Sequence, residues 1–452
     1  MTFVKTLMAA SLALAFAGAA QAAVSLQEAE KLGTTLTDSG AERAGNADGS
    51  IPEYTGGNKQ LPAGFNRGDS FRPDPYADEK PVLVIDQSNV AEHKDKLTAT
   101  TAELIKRYPT YKVEVYPTHR SVWLPDDILA NFKLNAVSAK TVNDGVGVEG
   151  ALPGAPFPIP QTGPEVMWNH LLRYSGVTIQ SKFDSWNVDS AGVPTLATTG
   201  LAIVNLPIYE NLTKVMQPDE VFYRIKVNYT GPARRAGEAV LVQDSVNPKV
   251  QPRRAWQYLP GQRRVKLAPD LAYDTPNPGT AGAATYDDTF VFTGALDRYE
   301  WKLIGKQEMY VPYNNYKLTY GKDVKPIVTA NHIASDQVRW EKHRVWVVEG
   351  DLLPGKRHIY HKRRIYIDED SWNALGADMY DARGDLYRGS YAFMTPSYDV
   401  GVPQAAAHCI YDLIGGSYTL NGLTGPYGGV QYIDNLSKAK WSPQGLAGAG
   451  IR

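Results

Sequence analysis

The sequence predicts an α+β protein, with helices mainly in the N-terminal part and a large antiparallel sheet in the C-terminal half. Two patterns lead to this prediction. From Val221 onward, hydrophobic residues recur at every second position in several segments, which is typical of strands. Short glycine–proline turns, such as Pro260-Gly261 and Pro354-Gly355, separate several of these segments. Strands that follow one another so closely pair as antiparallel neighbours, because parallel pairs need long crossover connections.

The N-terminus has the three parts of a secretory signal peptide. Lys5 supplies the positive charge, residues 7–20 are apolar, and Ala20-Gln21-Ala22 is a small-x-small cleavage pattern. An apolar stretch of about 14 residues is shorter than the roughly 20 that span a bilayer. We therefore expect residues 1–22 to be removed. The mature chain would begin near Ala23 and work in the periplasm without an integral membrane segment.

Helical patterns and long loops alternate between residues 23 and 165. Ser25 followed by Glu28 is a capping-box pattern, which predicts the first helix. Two loops rich in glycine and proline are long enough to wrap a surface or cover an opening. We expect a helix- and loop-rich region at 23–165 that packs on a sheet domain at 166–452. The predicted helices are 25–36, 91–108 and 163–174, the loops are 45–75 and 145–164, and a short helix and turn is predicted at 370–384.

The strand pattern is clearest in residues 221–229. Tyr223, Ile225 and Val227 fall on one face of this segment, and Arg224 falls on the other. The chain also has 27 Tyr and 9 Trp. Such bulky, amphipathic side chains suit a thick core or a concave apolar face with polar tips. The other predicted strands are 256–259, 263–268, 302–310, 343–349 and 357–368.

Three motifs suggest a nucleotide or a metal ion, and each is better explained structurally. Residues 145–150 have the G-x-G-x-x-G spacing, but prolines follow where a dinucleotide site needs a helix, so we expect a loop. His358 and His361 are three apart in a strand-like segment and would point to opposite faces. The acids at 368–370 lack calcium-loop spacing and, placed before Ser371, favour a helix start. We expect no metal and no cofactor.

Asp287 and Asp288, together with Asp297 and Glu300, are acids of the kind that glycosidases use in pairs. Paired carboxylates are common in sequences, so we assign no catalytic residue. A periplasmic carbohydrate-active enzyme that uses Asp or Glu remains an alternative function.

The single cysteine, Cys409, follows His408. Adjacency along the chain does not make a nucleophile–base pair, and we expect a buried thiol. One cysteine also excludes a disulfide within the chain.

The net charge argues against nucleic-acid binding, and the charge distribution shows one basic stretch. The formal net charge of −1 argues against a general nucleic-acid-binding protein. Between Arg224 and Lys266, ten Lys and Arg residues stand against two acids, Glu238 and Asp244. We favour pairing of these groups across strands over an anion-binding patch.

The most distinctive segment is residues 253–269, RRAWQYLPGQRRVKLAP, which predicts a strand, a Pro-Gly turn and a second strand. This hairpin resembles the Y-x-PGQRRV signature of a bacterial envelope family, domain of unknown function 1329. The likeness continues through residues 297–313, 343–349, 354–360 and 366–372 and covers most of the mature chain.

That family is similar to the periplasmic lipoprotein carriers of the LolA/LolB type. The resemblance implies a strongly curved antiparallel sheet, a half-barrel, covered by helices over an apolar cavity. It also implies a non-enzymatic protein that binds or shuttles a lipid or other hydrophobic cargo. An exporter of the resistance-nodulation-division class and an outer-membrane protein are the partners it suggests.

A carrier needs a movable cover, because an open apolar groove aggregates, and the N-terminal helices and loops would supply it. A structural adaptor of an envelope complex, without cargo, is a further alternative. The residues that we expect to contact cargo or a partner are Trp256, Tyr258, Arg263, Arg264, Trp301 and Trp346.

Overall fold

The computed structural model describes residues 24–447, and within them the chain is an α+β protein built on one large sheet. The predicted signal peptide, residues 1–22, lies outside the described residues. The helices are α1 (Leu26–Ala29), α2 (Val90–His93), α3 (Ala99–Arg107), α4 (Asp126–Ser138), α5 (Gly163–Leu171), α6 (Tyr316–Thr319) and α7 (Pro443–Ala447). The strands are β1 (Leu83–Ile85), β2 (Val113–Val115), β3 (Lys140–Val142), β4 (Gly147–Glu149), β5 (Thr178–Val188), β6 (Pro194–Asn205), β7 (Val221–Gly231), β8 (Ala239–Ser245), β9 (Arg254–Leu259), β10 (Arg264–Leu267), β11 (Tyr299–Pro312), β12 (Trp340–Leu352), β13 (Lys362–Asp368), β14 (Ala374–Tyr380), β15 (Leu386–Ala392), β16 (His408–Asp412), β17 (Ser417–Leu423) and β18 (Gln431–Tyr432).

Two antiparallel meanders make up most of the sheet. One runs from β5 to β10 and the other from β11 to β17, and they join where β17 pairs with β5. The strand order is β1-β2-β12-β13-β14-β15-β16-β17-β5-β6-β7-β8-β9-β10, with β11 on β12 and β18 on β5. Among the named strands of the described residues, the one parallel pairing is a bridge between Val115 and Trp340, which attaches β1 and β2 of the N-terminal region. Chain neighbours therefore pair as the turn spacing predicted.

The sheet is strongly curved. β17 and β8 are four steps apart in the strand order, which is about 19 Å on a flat sheet at the usual spacing. Asn421 of β17 and Val242 of β8 nevertheless line the same cavity. The curvature gives the sheet a concave face on which other parts of the chain pack.

Helix α5 fills one part of this concave face. Thr162 and Glu165 form a capping box at its start, and the helix ends at Leu171, three residues before the predicted end. Val166 and Met167 are fully buried in one cluster with Ile365 of β13. Strands β12 to β14 thus have their concave side occupied by the chain itself.

Two predicted helices are shorter or broken in the structure. α1 ends at Ala29 rather than near residue 36, although Ser25 Oγ accepts the Glu28 N–H at 3.1 Å as the capping pattern predicted. The predicted helix at 91–108 is interrupted before Thr98, whose hydroxyl caps α3. The Asp378 carboxylate also accepts the N–H groups of Ala99 and Thr100, so a tertiary contact fixes this new helix start.

The prediction of a short helix and turn at 370–384 is wrong, because the segment forms β14. Its residues pair with β13 on one side and β15 on the other. Two-sided pairing of a buried segment overrides local helical preference. The unpredicted helix α4 had a sequence signal, namely Pro125 followed by Asp126 and Asp127 in its first turn. None of the helices within residues 24–447 has the length and apolarity needed to cross a bilayer.

Candidate functional site

A cavity of about 200 Å³ lies between the concave face of β5–β8 and a chain segment that covers it. The alternation along each strand decides which side chains reach this space. On β6, Ala202 and Val204 line the cavity, while Ile203 is buried against Trp441 on the opposite face. On β7, the predicted apolar row contributes Ile225 and Val227 to the wall. The sequence pattern therefore identified one strand of the site.

Residues 277–293, which we call the cover segment, close the cavity from the other side. Asn277, Tyr286 and Phe290 of this segment line the cavity. Asn187 Nδ2 of β5 donates to the Thr280 carbonyl at 2.8 Å, which fastens one end to the sheet. The expected cover, the N-terminal helices and loops, does not appear in the cavity lining. The part of the chain that covers the sheet here lies between β10 and β11.

A buried ion cluster anchors the far end of the cover segment. Asp287 Oδ2 accepts from Arg363 Nη2 at 2.8 Å and from His358 Nε2 at 3.0 Å, and Tyr360 Oη donates to Asp288 at 2.9 Å. Burial opposes ionisation, but Arg363 and His358 outweigh it and hold the pKa of Asp287 well below its usual range.

These contacts give the predicted acid pair a structural role. Asp287 and Asp288 are nearly fully buried and neither lines the cavity. Asp297 accepts from the Tyr273 hydroxyl at 2.9 Å, and Glu300 is exposed on β11. The four acids therefore do not face one another across the cavity as a glycosidase pair would.

Three charged side chains, Arg173, Asp244 and Arg253, and one histidine, His408, line the cavity. Arg253 binds Asp244 through two hydrogen bonds of 2.7 Å, so these two charges compensate each other. Burial lowers the pKa of His408 to about 4, and its imidazole is therefore neutral at pH 7. Arg173 follows α5, and its Nε donates to Asn373 Oδ1 at 2.8 Å.

The wall also carries polar groups without a hydrogen-bond partner among the described residues. These are the Tyr286 hydroxyl and the Asn421 Nδ2 group. Buried polar groups are rarely left unpaired, since each costs about 1–3 kcal/mol. Both atoms are shielded from solvent, so they do not by themselves mark a contact point for a ligand.

Cys409 is a buried thiol, as predicted. It lies in the apolar cluster on the face of β16 opposite the cavity, whereas its neighbour His408 faces the cavity. Burial raises the pKa of the thiol far above its ordinary value. No nucleophile–base pair forms between them.

None of the six residues expected to contact cargo or a partner lines the cavity. Tyr258 and Trp256 of β9 pack with Trp441 in a cluster on the other face of the sheet. Trp301 is buried and donates from Nε1 to the Leu296 carbonyl at 3.1 Å. Trp346 is half-buried and stacks on Trp372 with ring centres 6.3 Å apart. The remaining two, Arg263 and Arg264, are exposed beside the turn of the β9–β10 hairpin.

The basic stretch between Arg224 and Lys266 is partly paired with acids. One of these pairs, Arg253 with Asp244 of the neighbouring strand β8, is of the favoured cross-strand kind, whereas the others involve a short helix or lie within a turn. Arg253 pairs with Asp244 at 2.7 Å, and Arg224 reaches Glu210 at 3.6 Å. Arg235 pairs with Glu238 at 3.0 Å.

A second cluster of titratable groups lies at the turn between β13 and β14. Each of His343, Asp368 and Asp370 places one potential ligand atom within 4.8 Å of the others, and all three are buried. Arg120 donates to both oxygens of Asp370, at 2.7 and 2.9 Å, and supplies the positive charge that a cation would bring. The residues could coordinate a metal ion only if this ion pair opened.

The sequence suggested that the acids at 368–370 start a helix, and this prediction is wrong, because β14 rather than a helix follows them. Glu369 accepts the Glu42 N–H at 3.2 Å and pairs with Lys306 at 2.8 Å, and Trp372 Nε1 donates to the Ser39 carbonyl at 3.0 Å. Glu369 and Trp372 of this turn thus fasten the N-terminal segment onto the sheet.

The remaining motifs are structural in the described residues. Residues 145–150 form the turn into β4 of a small hairpin, with no helix after it, and Trp168 Nε1 donates to the Gly145 carbonyl at 2.9 Å. β13 begins at Lys362, later than predicted, so His358 lies in the preceding loop. His358 is buried on Asp287, whereas His361 is exposed.

The chain is similar to known proteins over most of its length. The family model "Protein of unknown function (DUF1329)" matches residues 84–447. A relative, the uncharacterized protein PA3922 of Pseudomonas aeruginosa, is 43% identical over 437 residues, which is 95% of each chain.

Two solved structures are similar to part of this chain at low identity. A putative outer membrane lipoprotein-sorting protein domain from Vibrio parahaemolyticus is 12% identical, with a TM-score of 0.41, over 60% of this chain and 92% of its own. A DUF1329 family protein from Desulfovibrio piger is 14% identical, with a TM-score of 0.40 and the same coverage. The extent of the family match and the identity to the Pseudomonas relative show that this chain belongs to the DUF1329 family.

Proposed function

We propose that this protein is a periplasmic carrier that holds a hydrophobic or amphiphilic cargo in the cavity between β5–β8 and the cover segment. The observation that carries the proposal is the cavity itself. Its walls are mainly aliphatic and aromatic, it lies on the concave face of a curved sheet, and it remains open where the rest of that face is filled. Pockets of this composition are typical of sites for apolar ligands.

The size of the hydrophobic effect supports binding of an acyl chain. Each methylene moved from water into an apolar site contributes about 0.8 kcal/mol, so ten methylenes contribute on the order of 8 kcal/mol. Part of this gain is spent on ordering the chain and opening the protein. The remainder suits a carrier, which must release its cargo as well as bind it.

The cover segment is the part that would move to admit cargo. One end is anchored by Asp287 in the ion cluster with Arg363, and the stretch through Thr280 is fastened by a neutral hydrogen bond to Asn187. The neutral contact is the weaker of the two. Opening would therefore begin near Thr280.

The location and the partners belong to the same proposal. The signal-peptide pattern of residues 1–22 supports export to the periplasm. An exporter of the resistance-nodulation-division class and an outer-membrane protein are partners that the family resemblance suggests. The exposed Arg263 and Arg264 are candidates for contact with such a partner rather than with cargo.

The test compares two matched variants on neighbouring positions of β6. Ala202→Phe fills the cavity, whereas Leu201→Phe adds the same ring on the opposite face. The measurement is fluorescence titration with N-phenyl-1-naphthylamine, an uncharged apolar probe, together with native mass spectrometry of the purified protein.

We expect the wild type and Leu201→Phe to bind the probe and to carry a co-purified amphiphile. Ala202→Phe should weaken probe binding at least tenfold without lowering the melting temperature. A wild-type protein that binds no probe, or an Ala202→Phe protein that binds it as well as Leu201→Phe, would refute the carrier proposal.

A further inference from the structure

The charges in the cavity wall do not balance. Asp244 is neutralised by Arg253, and His408 is neutral at pH 7. Arg173 is the remaining charged residue of the wall, so the cavity as a whole carries one positive charge.

Arg173 has neutral partners only. Its Nε donates to Asn373 Oδ1 and its Nη1 to the His170 carbonyl at the end of α5. No Asp or Glu oxygen within residues 24–447 lies within 4.0 Å of its guanidinium nitrogens. A guanidinium has five N–H donors, and these contacts leave most of them unused. The C-terminal end of α5 offers only a partial negative charge.

Arg173 is half-buried, whereas seven arginines of the described chain are fully buried and are paired differently. Each has a carboxylate within the distance of an ion pair: Arg72 with Asp399, Arg120 with Asp370, Arg235 with Glu238, Arg339 with Glu341, Arg344 with Glu369, Arg363 with Asp287 and Arg388 with Asp412. Burial lowers the pKa of Arg173 to about 10, whereas ion pairing raises the pKa of Arg72, Arg120 and Arg363. Within the described residues, each fully buried arginine therefore has an acid, whereas the half-buried Arg173 of the cavity wall has none.

The cavity wall follows β7, and Arg173 lies toward the Tyr223 end of it. Arg173 lies near Tyr223, and the wall continues along β7 to Tyr229, six residues further on. Six residues of strand span about 20 Å. A space of about 200 Å³ is below the roughly 300–1,000 Å³ of drug-sized pockets and suits a single acyl chain. The unpaired groups near the other end, on Tyr286 and Asn421, are uncharged.

We infer that the cargo is a single-chain anionic amphiphile, whose carboxylate or phosphate head binds Arg173 while its chain lies along β7. The inference rests on the proposed carrier function and adds the class of cargo and its orientation. The anionic head group would be the negatively charged partner that Arg173 lacks among the described residues. Charge-assisted contacts of a guanidinium with a carboxylate or phosphate are frequently bidentate and strong.

The test displaces bound N-phenyl-1-naphthylamine with three ligands that share a dodecyl chain: dodecanoate, dodecyl phosphate and dodecanol. It uses the wild type and two variants. Arg173→Met keeps most of the side-chain volume without the charge, and Arg173→Lys keeps the charge without the planar guanidinium group. Inorganic phosphate is titrated alone, because a site for a free anion would respond to it.

We expect the wild type to bind an anionic ligand at least tenfold more tightly than dodecanol and to ignore inorganic phosphate. Arg173→Met should lose the preference for anionic ligands but still bind dodecanol and the probe as the wild type does. Arg173→Lys should retain part of the preference. Whichever anionic ligand binds more tightly identifies the head as carboxylate or phosphate.

Equal binding of dodecanoate, dodecyl phosphate and dodecanol by the wild type would overturn the inference without any variant. Displacement by inorganic phosphate alone, or an equal loss of all ligands in a folded Arg173→Met, would also overturn it. If the uncharged probe itself does not bind, the carrier proposal fails, and the two failures are thereby distinguished.

Discussion

Two parts of one curved sheet are treated differently by the same chain. In the first, which we call the filled half (β12–β14), the concave side is packed with α5 and Trp372, and the N-terminal segment is fastened at the β13–β14 turn. In the second, the hollow half (β5–β8), the concave side faces the cavity. Most residues of β12 are buried, whereas most of β7 are half-buried.

The difference teaches that the strands themselves do not decide where a cavity forms. Both halves are antiparallel meanders with alternating apolar residues. What differs is the segment placed over them, a helix with a dense apolar face in one case and a loop with polar residues in the other. Arginine pairing follows the same division, because Arg120, Arg344 and Arg363 pair with acids in the filled half, whereas Arg173 of the hollow half has no ion pair among the described residues.

The largest expected effect is on the ion cluster of the filled half. Arg120→Met leaves Asp370 buried without its partner, which should lower the free energy of unfolding by about 3–5 kcal/mol. Chemical denaturation measures this change. Arg383→Met, in an exposed pair with Asp381, is the control and should match the wild type. Equal behaviour of the two variants would mean that the buried cluster does not hold the filled half together.

The stability of the protein should depend on pH through Asp368 at the β13–β14 turn. Burial and the neighbouring Asp370 raise the pKa of Asp368 to about 7, above its ordinary value of 3.8. The folded state therefore holds an extra proton between these values, and stability is lost as the pH rises from about 4 through 7. The slope for one proton is at most about 1.4 kcal/mol per pH unit.

Asp368→Asn removes this titration. Denaturation at pH 5, 6, 7 and 8 should show the variant gaining stability relative to the wild type as the pH rises. Asp381→Asn, in an exposed turn, should show no such gain. A constant difference between Asp368→Asn and the wild type across this range would contradict the raised pKa.

A matched pair of Val→Ala substitutions compares the packing of the two halves directly. Val348→Ala in the filled half removes two methyl groups from a fully buried site and should cost about 1.5–3 kcal/mol. Val227→Ala borders space that is already empty and should cost less than about 1 kcal/mol. Equal costs, measured by denaturation of the ligand-free protein, would show that the hollow half is as tightly packed as the filled one.

The smallest effect is expected at the tip of the β9–β10 hairpin. Arg263→Ala and Arg264→Ala, made separately, should each change the free energy of unfolding by less than about 0.5 kcal/mol, because both side chains are exposed. Probe binding should also be unchanged, because neither residue lines the cavity. Weaker binding of the probe by either variant would extend the binding site to this hairpin.

Local patterns predicted those parts of the fold that depend on neighbours in the chain. The alternation from Tyr223 to Tyr229 identified a strand and one wall of the cavity, and the Pro260-Gly261 turn identified the β9–β10 hairpin. Four of the six residues expected to contact cargo or a partner came from the most distinctive motif, residues 253–269, instead. That motif packs Trp256 against Trp441 on the other face of the sheet.

Long-range contacts account for the errors. The acids at 368–370 carry the composition of a helix start, but their partners, Arg120 and Glu42, are more than 200 residues away. The predicted helix at 91–108 breaks where Asp378 caps its second half. Arg173 had no signal in the sequence, because its distinguishing property is the lack of an acid in space.

The sequence by itself determined the α+β class, the antiparallel order of neighbouring strands and the family, since these follow from alternation, turns and long identical strings. The tertiary structure decided which concave surface is filled, which segment covers the other, and which guanidinium is left without an acid. The physical reason is that alternation tells which side chains share a face of a strand. What covers that face depends on segments brought together only when the sheet curves.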